Sequence, residues 1–243
     1  MTVTTDLAPP ARALAIGAHP DDVEFGCGAT LAKWAASGTT ILHVICTDGA
    51  RGSWDPGEDV AALVATRQAE QRAASLALGA SGEVVFLGWP DGELQAGLEQ
   101  RSQVAYWIRA FRPDTVLGHD PWKRYRLHPD HRHAGFLATD GIVAARDPHF
   151  FPEHKVEPHR PGHLLLWEAD EPDHVEDANG FVDTKVAALL AHRSQLRSTM
   201  HIASPGDTDQ TEHFRNRVRQ RLHAHASVAG LDVGEAFKRM SDL

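Results

Sequence analysis

Five short apolar runs, at residues 13–18, 40–46, 84–88, 115–118 and 163–167, are separated by longer segments whose apolar residues recur every three or four positions. The runs have the length of strands, and the segments 29–37, 59–78, 99–111 and 132–145 have a helical period with charges on the opposite face. Alternation of this kind predicts an α/β fold, a Rossmann-like, mostly parallel sheet with helices on both faces. Further helices are predicted at 181–197 and 212–226, the second so charged that it belongs on the surface or between subunits. Residues 148–162, rich in Pro and His, read as an irregular loop, and 203–209 as a turn. Neither is long enough for a linker, so residues 1–243 are expected to form a single domain with a helical C-terminal extension from about residue 198.

Acidic residues outnumber basic ones by 33 to 24, a net charge of -9, with no run of about five or six like charges, which excludes a generic nucleic-acid partner. No stretch approaches the roughly 18 apolar residues that cross a bilayer, and residues 1–10 lack a basic region followed by an apolar run. A soluble, cytoplasmic protein without a membrane partner is the expectation. Cys27 and Cys46 are too few for a disulfide framework and are read as reduced core thiols. There are 16 histidines, so only spacing can single out those that do chemistry.

The first informative spacing is Ala18-His19-Pro20-Asp21-Asp22, at the end of the first predicted strand. Ligands collect at the carboxyl ends of strands in an open parallel sheet. Pro20 suits a turn or first helical position, so His19 and Asp22, three apart, can converge on one point as a metal-ligand pair. Asp21 then points elsewhere and becomes a general-base candidate. The plainer reading makes the two aspartates helix caps, which accounts for one of them.

A second cluster, His128-Pro129-Asp130-His131, follows the fourth predicted strand, again where a strand gives way to a helix. Loops after different parallel strands meet above one sheet edge, so His131 can complete a three-ligand site and leave His128 for chemistry. Asp130 would hold a protonated His128 beside a developing oxyanion. The reverse assignment, His128 as ligand and His131 as acid, is equally compatible with the spacing.

Together the two clusters resemble the paired motifs of the LmbE-like, or PIG-L, family of zinc-dependent N-acetylglucosamine deacetylases. The resemblance runs from about residue 13 to about 195 and takes in 24–28, 47–52, Arg67 with Glu70, 86–94 and 185–195. It implies one Zn²⁺ per chain on His19, Asp22 and His131, with Asp21 as general base, His128 as oxyanion stabiliser and Asp130 behind it. It also implies that Arg51 and Asp91 contact sugar hydroxyls, although position 50 is Ala where many relatives carry an acidic residue. Arg67 and Glu70 match a family pair that serves equally well as an i, i+3 brace, and His192 matches a family pattern without an evident role. Relatives form oligomers, which makes a homo-oligomer through the charged C-terminal helix an expectation. Such a donor set also accepts Fe²⁺, Co²⁺ and Mn²⁺.

The implied reaction is hydrolysis of an acetamide on an N-acetylated amino sugar or glycoconjugate. An alternative keeps the metal and base but takes another small-molecule amide, such as a thiol conjugate or a modified antibiotic. Two further classes fit less well. Gly26-Cys27-Gly28 is a poor dinucleotide loop, because the third fingerprint glycine is replaced by Leu31. A structural zinc staple normally has four protein ligands, often Cys.

Overall fold

The order of strands across the sheet, more than their number, places the functional edge. The computed structural model describes residues 3–243. Its eight strands are β1 (Thr4–Thr5), β2 (Arg12–Gly17), β3 (Thr40–Thr47), β4 (Val84–Trp89), β5 (Thr115–His119), β6 (His163–Trp167), β7 (His174–Asp177) and β8 (Gly234–Ser241). They lie in the order β1-β7-β8-β6-β5-β2-β3-β4. Pairings from β6 to β4 are all parallel, and β8 runs antiparallel between β6 and β7. From β2 the chain first builds outward to β3 and β4, then returns to place β5 on the other side of β2. The strand order therefore reverses between β2 and β5, where open α/β sheets bind their ligands.

Burial on both faces explains the continuous apolar runs. Leu14 and Ile16 of β2 join Leu42, Val44 and Val116 under the helices α3 (Leu98–Phe111) and α4 (Pro129–Arg146). Ala13 and Ala15 face the other way, with Ile41, Ile45 and Leu165, under α1 (Asp22–Ala36), α2 (Val60–Ala77) and α5 (Val182–Leu190). The period-2 alternation of strand side chains thus divides one apolar run between two layers.

The C-terminal extension differs from the sequence expectation. Helix α6 (Thr208–Ala226) starts earlier than predicted because the Asp207 side chain accepts from the Gln210 amide at 2.9 Å and caps it. Its stripe of Phe214, Val218 and Leu222 is buried with Ala29 of α1 and Val186 and Leu189 of α5, so the charged helix is a packed layer of the fold. The extension then ends in β8, a strand inside the sheet, and is not helical throughout.

Two other boundaries move. α1 begins at Asp22 instead of near residue 29, with a kink at Cys27. A Cβ on Gly26 would lie 2.5 Å from the Trp167 ring, so this glycine serves close packing and not a phosphate loop. The predicted helix over 181–197 stops at Leu190, and a 3-10 turn over Arg193–Gln195 follows.

Helix α4 is pressed onto the end of β5. A Cβ at Gly135 would meet the His119 carbonyl oxygen at 2.6 Å and the Pro121 nitrogen at 2.9 Å, both backbone atoms that cannot turn away. Gly135→Ala is accordingly expected to cost about 1–3 kcal/mol, the usual range for overpacking, read as a lower denaturant midpoint. Among the described residues no helix is long and apolar enough to cross a membrane.

Candidate active site

The β2-α1 turn folds around its own polar groups. The backbone amide and hydroxyl of Thr47 at the end of β3 both donate to the Ala18 carbonyl, at 2.9 and 2.8 Å. Asp22 Oδ2 accepts the His19 amide at 2.7 Å and so closes a tight ring. Asp21 occupies the N-cap position with φ 102° and ψ -24°, a left-handed conformation that non-glycine residues rarely adopt. Its side chain makes no capping bond, so neither aspartate is the cap that the plainer sequence reading expected.

The β5-α4 loop supplies the second half. His128 is the N-cap of α4 and its Nδ1 accepts the Asp130 amide at 3.3 Å, with Pro129 and His131 in the first turn. Because β2 and β5 are parallel neighbours, with Ile16 opposite Gly118, the two loops meet at one edge. Asp22 becomes the hub. Its carboxylate lies 3.3 Å from His19 Nδ1, 3.3 Å from His131 Nε2 and 3.2 Å from His119 Nε2. The His128 and His131 rings stack 4.7 Å apart, and the His19 ring lies 4.6 Å from His128 and 5.2 Å from His131. Asp22 thus lies against both His19 and His131, the other two sequence-predicted ligand positions.

His119 is a residue that sequence reading passed over. Its Nδ1 accepts from the Trp167 indole N–H at 3.0 Å, and an indole can only donate. The neutral ring must therefore carry its proton on Nε2, which faces Asp22. Burial, acting ahead of the attraction to Asp22, lowers the His119 pKa to about 4, so the ring stays neutral. Its Nε2 lies 3.2 Å from Asp22 Oδ2 and makes no hydrogen bond elsewhere.

Asp130 requires a correction. Its carboxylate does not support His128; Oδ2 lies 3.1 Å from His19 Nε2 and accepts the Gly92 amide at 2.7 Å, and Oδ1 accepts the Leu94 amide at 3.3 Å. The contact between Asp130 and His128 is made by the Asp130 backbone amide. Since that amide is a donor, the neutral His128 ring carries its proton on Nε2. Burial, with His19 and His131 nearby, lowers the His128 pKa, against the protonated state foreseen from sequence.

Asp91 is also differently placed. It was expected to meet a sugar, yet it is 5% exposed, with Oδ1 3.1 Å from His19 Nε2 and Oδ2 accepting the Arg51 amide at 3.0 Å. Arg51 stands at the rim, its guanidinium paired with Glu93 at 2.8 Å. Arg67 and Glu70 do not brace one another. Arg67 donates to Gly49 and Pro20 carbonyls, while Glu70 accepts from the amide and hydroxyl of Ser194. His192 is buried with Nε2 3.2 Å from Glu24.

Electrostatics separate the neighbouring aspartates. Burial would raise Asp22, but the His131 and His119 imidazoles beside it hold it well below the usual carboxylate range. Burial pushes Asp21 up to about 6, with Arg67 opposing and Asp22 adding to the rise. Both carboxyls line an open cavity of about 500 Å³, whose wall also holds His19, His128, His131, Arg51 and Trp167.

The donor chemistry fits a divalent cation. His19 turns Nδ1 toward Asp22 and Nε2 toward two carboxylates, the arrangement by which a metal-ligating histidine is oriented through its other nitrogen. Side chains drawn from His19, Asp22, Asp91, His119, His128, Asp130 and His131 place ligand atoms within 4.8 Å of one another in three overlapping groups.

Comparison with known proteins finds one matching family and several similar chains. The family described as PIG-L, GlcNAc-PI de-N-acetylase, matches residues 14–142. The diacetylchitobiose deacetylase of Thermococcus kodakarensis is 33% identical over 188 residues, covering 76% of this chain and 70% of its own. A 1D-myo-inositol 2-acetamido-2-deoxy-alpha-D-glucopyranoside deacetylase of Streptomyces avermitilis is 33% identical over 171 residues, which span 60% of this chain and 57% of that relative. Among solved structures, the N,N'-diacetylchitobiose deacetylase of Pyrococcus horikoshii superposes with a TM-score of 0.85 at 28% identity, over 96% of this chain and 84% of its own.

Proposed function

The chain belongs to the PIG-L family of de-N-acetylases, and from that premise we propose that it is a metal-dependent hydrolase that removes the acetyl group from an N-acetylglucosamine-type amino sugar. The observation that carries this reading is the convergence of His19 and His131 on the Asp22 carboxylate, with a second carboxyl, Asp21, beside them in the same cavity.

In this reading His19, Asp22 and His131 hold one Zn²⁺, and the ion supplies Lewis acidity that activates water and polarises the acetyl carbonyl. Asp21 takes the proton of the attacking water. A carboxyl with a pKa raised to about 6 is ionised at neutral pH, yet is a better base than an ordinary aspartate. His128 turns a protonated Nε2 to the cleft and donates to the carbonyl oxygen as charge develops there, without needing a positive ring. Asp21 then returns its proton to the departing amine. Asp91 and Asp130 fix the His19 ring, and His119 fixes Asp22. Arg51, at the rim, meets the sugar hydroxyls.

The test is product analysis with N-acetylglucosamine and diacetylchitobiose. Acetate and free amine should appear in equal amounts, the reaction should stop with a chelator and resume with zinc. Cleavage of amides of non-sugar amines, with acetylated sugars left intact, would overturn the assignment.

A further inference from the structure

Asp21 must aim its carboxyl from a backbone conformation that an L-residue resists, and such strain persists only where the surroundings impose it. The imposing contacts come from α2. Arg67 Nη2 donates to the Pro20 carbonyl at 2.7 Å, and Gln71 Oε1 accepts the Asp21 amide at 2.9 Å. That carbonyl and that amide belong to one peptide group, the bond joining Pro20 to Asp21. Arg67 and Gln71 are four residues apart, so they stand on one face of the helix and grip both poles of the peptide dipole.

Neither side chain is free to drift. Gln71 is fully buried, and its Nε2 donates to Glu24 Oε1 at 2.8 Å, which leaves only its oxygen to face Asp21. Glu24 is in turn held through Oε2 by His192 at 3.2 Å. Arg67 Nη1 donates to the Gly49 carbonyl at 2.8 Å. A Cβ at Gly52 would lie 2.4 Å from that nitrogen, so the loop after β3 is shaped to admit the guanidinium.

We propose that Arg67 and Gln71 are positioning residues that clamp the Pro20–Asp21 peptide and thereby aim the Asp21 carboxyl at the reacting water. The proposal rests on the reading of Asp21 as general base. It also gives His192 a part, as the far anchor of the Glu24-Gln71 chain.

The test compares three variants of the metal-loaded enzyme by acetate release. Gln71→Met preserves length and removes the acceptor for the Asp21 amide; a shift of the carboxyl by about 1 Å is expected to lower kcat by about 10- to 100-fold. KM should change less than about threefold, and metal content should stay at that of the wild type. Leu63→Ala, one turn before Arg67 on the same buried stripe, loosens α2 without touching the peptide and should leave kcat unchanged. Gln71→Met with wild-type kcat, or with a loss that Leu63→Ala reproduces, overturns the proposal. Should Gln71→Met not fold, Gln71→Asn, too short to reach both Glu24 and Asp21, is read by the same criteria. Asp21→Asn, assayed alongside, separates the premise from the clamp. Retained turnover there removes the base assignment, whereas its loss combined with a normal Gln71→Met removes only the clamp.

Discussion

Asp21→Asn is expected to leave metal content unchanged while kcat for acetate release falls by about 10²- to 10⁴-fold, the usual contribution of a positioned general base. The substitution is nearly isosteric, and asparagine tolerates left-handed backbone better than most residues, so the β2-α1 turn should persist. A second consequence is less expected of a catalytic residue. In the metal-free protein the folded pKa of about 6 lies above the ordinary 3.8, so folding favours the neutral carboxyl. The stability this group contributes is full below about 3.8 and is lost as pH rises through about 6. A neutral asparagine carries no such loss, and metal-free Asp21→Asn should be more stable than the wild type at pH 7. A lower denaturant midpoint for the variant in chelator would contradict this.

Asp22→Ala should also abolish turnover, but it should differ in metal content and in stability. The rings of His19, His119 and His131 all lie within 3.3 Å of the Asp22 carboxylate, and its removal takes away both a ligand and the negative charge at the centre of the cluster. Loss of outer partners of a metal ligand commonly costs 10- to 100-fold in affinity, and loss of the ligand itself should cost more than about 100-fold. After dialysis the variant should hold almost no metal and release no detectable acetate. Its folded pKa is held well below 3.8, so its stabilising contribution is present above that value and is lost as pH falls. The metal-free variant should therefore melt below the wild type at pH 7. Adjacent aspartates with opposite effects on stability are a signature that a site built around one generic acidic patch would not produce.

The sheet and the meeting of the two loops were legible because they follow from periodicity and connection rules. The run at 163–167 became β6 with the same limits, and the loops that carry His19, Asp22 and His131 meet at one edge because they follow neighbouring parallel strands, as the spacing predicted. Three strands were missed. β1 has two residues and β7 four, and β8 carries Lys238, Arg239 and Ser241, so none offers an apolar run. α1 was begun too late because Gly26 and Gly28 interrupt its helical pattern, and their packing against Trp167 and Lys185 is not visible locally.

Within the site, what failed was the pairing of sequence neighbours. Asp130 was assigned to His128 because they are two residues apart, but the helical N-terminus turns its carboxylate across to His19, 111 residues away. His119 was overlooked because the strand was ended at Gly118. Its signal was present, since a histidine closing an apolar strand at the switch point sits at the edge where ligands bind. The partnership of Arg67 and Gln71 with a single peptide needs the docking of α2, which no local pattern encodes.

The most direct measurement is anomalous X-ray scattering at the zinc absorption edge from crystals of the active, metal-loaded protein. One peak per chain, enclosed by the side chains of His19, Asp22 and His131 and with Asp21 outside the coordination sphere, is the predicted result. A peak held by other residues in a fully active crystal preparation, or density that enlists Asp21 as a ligand, would contradict it.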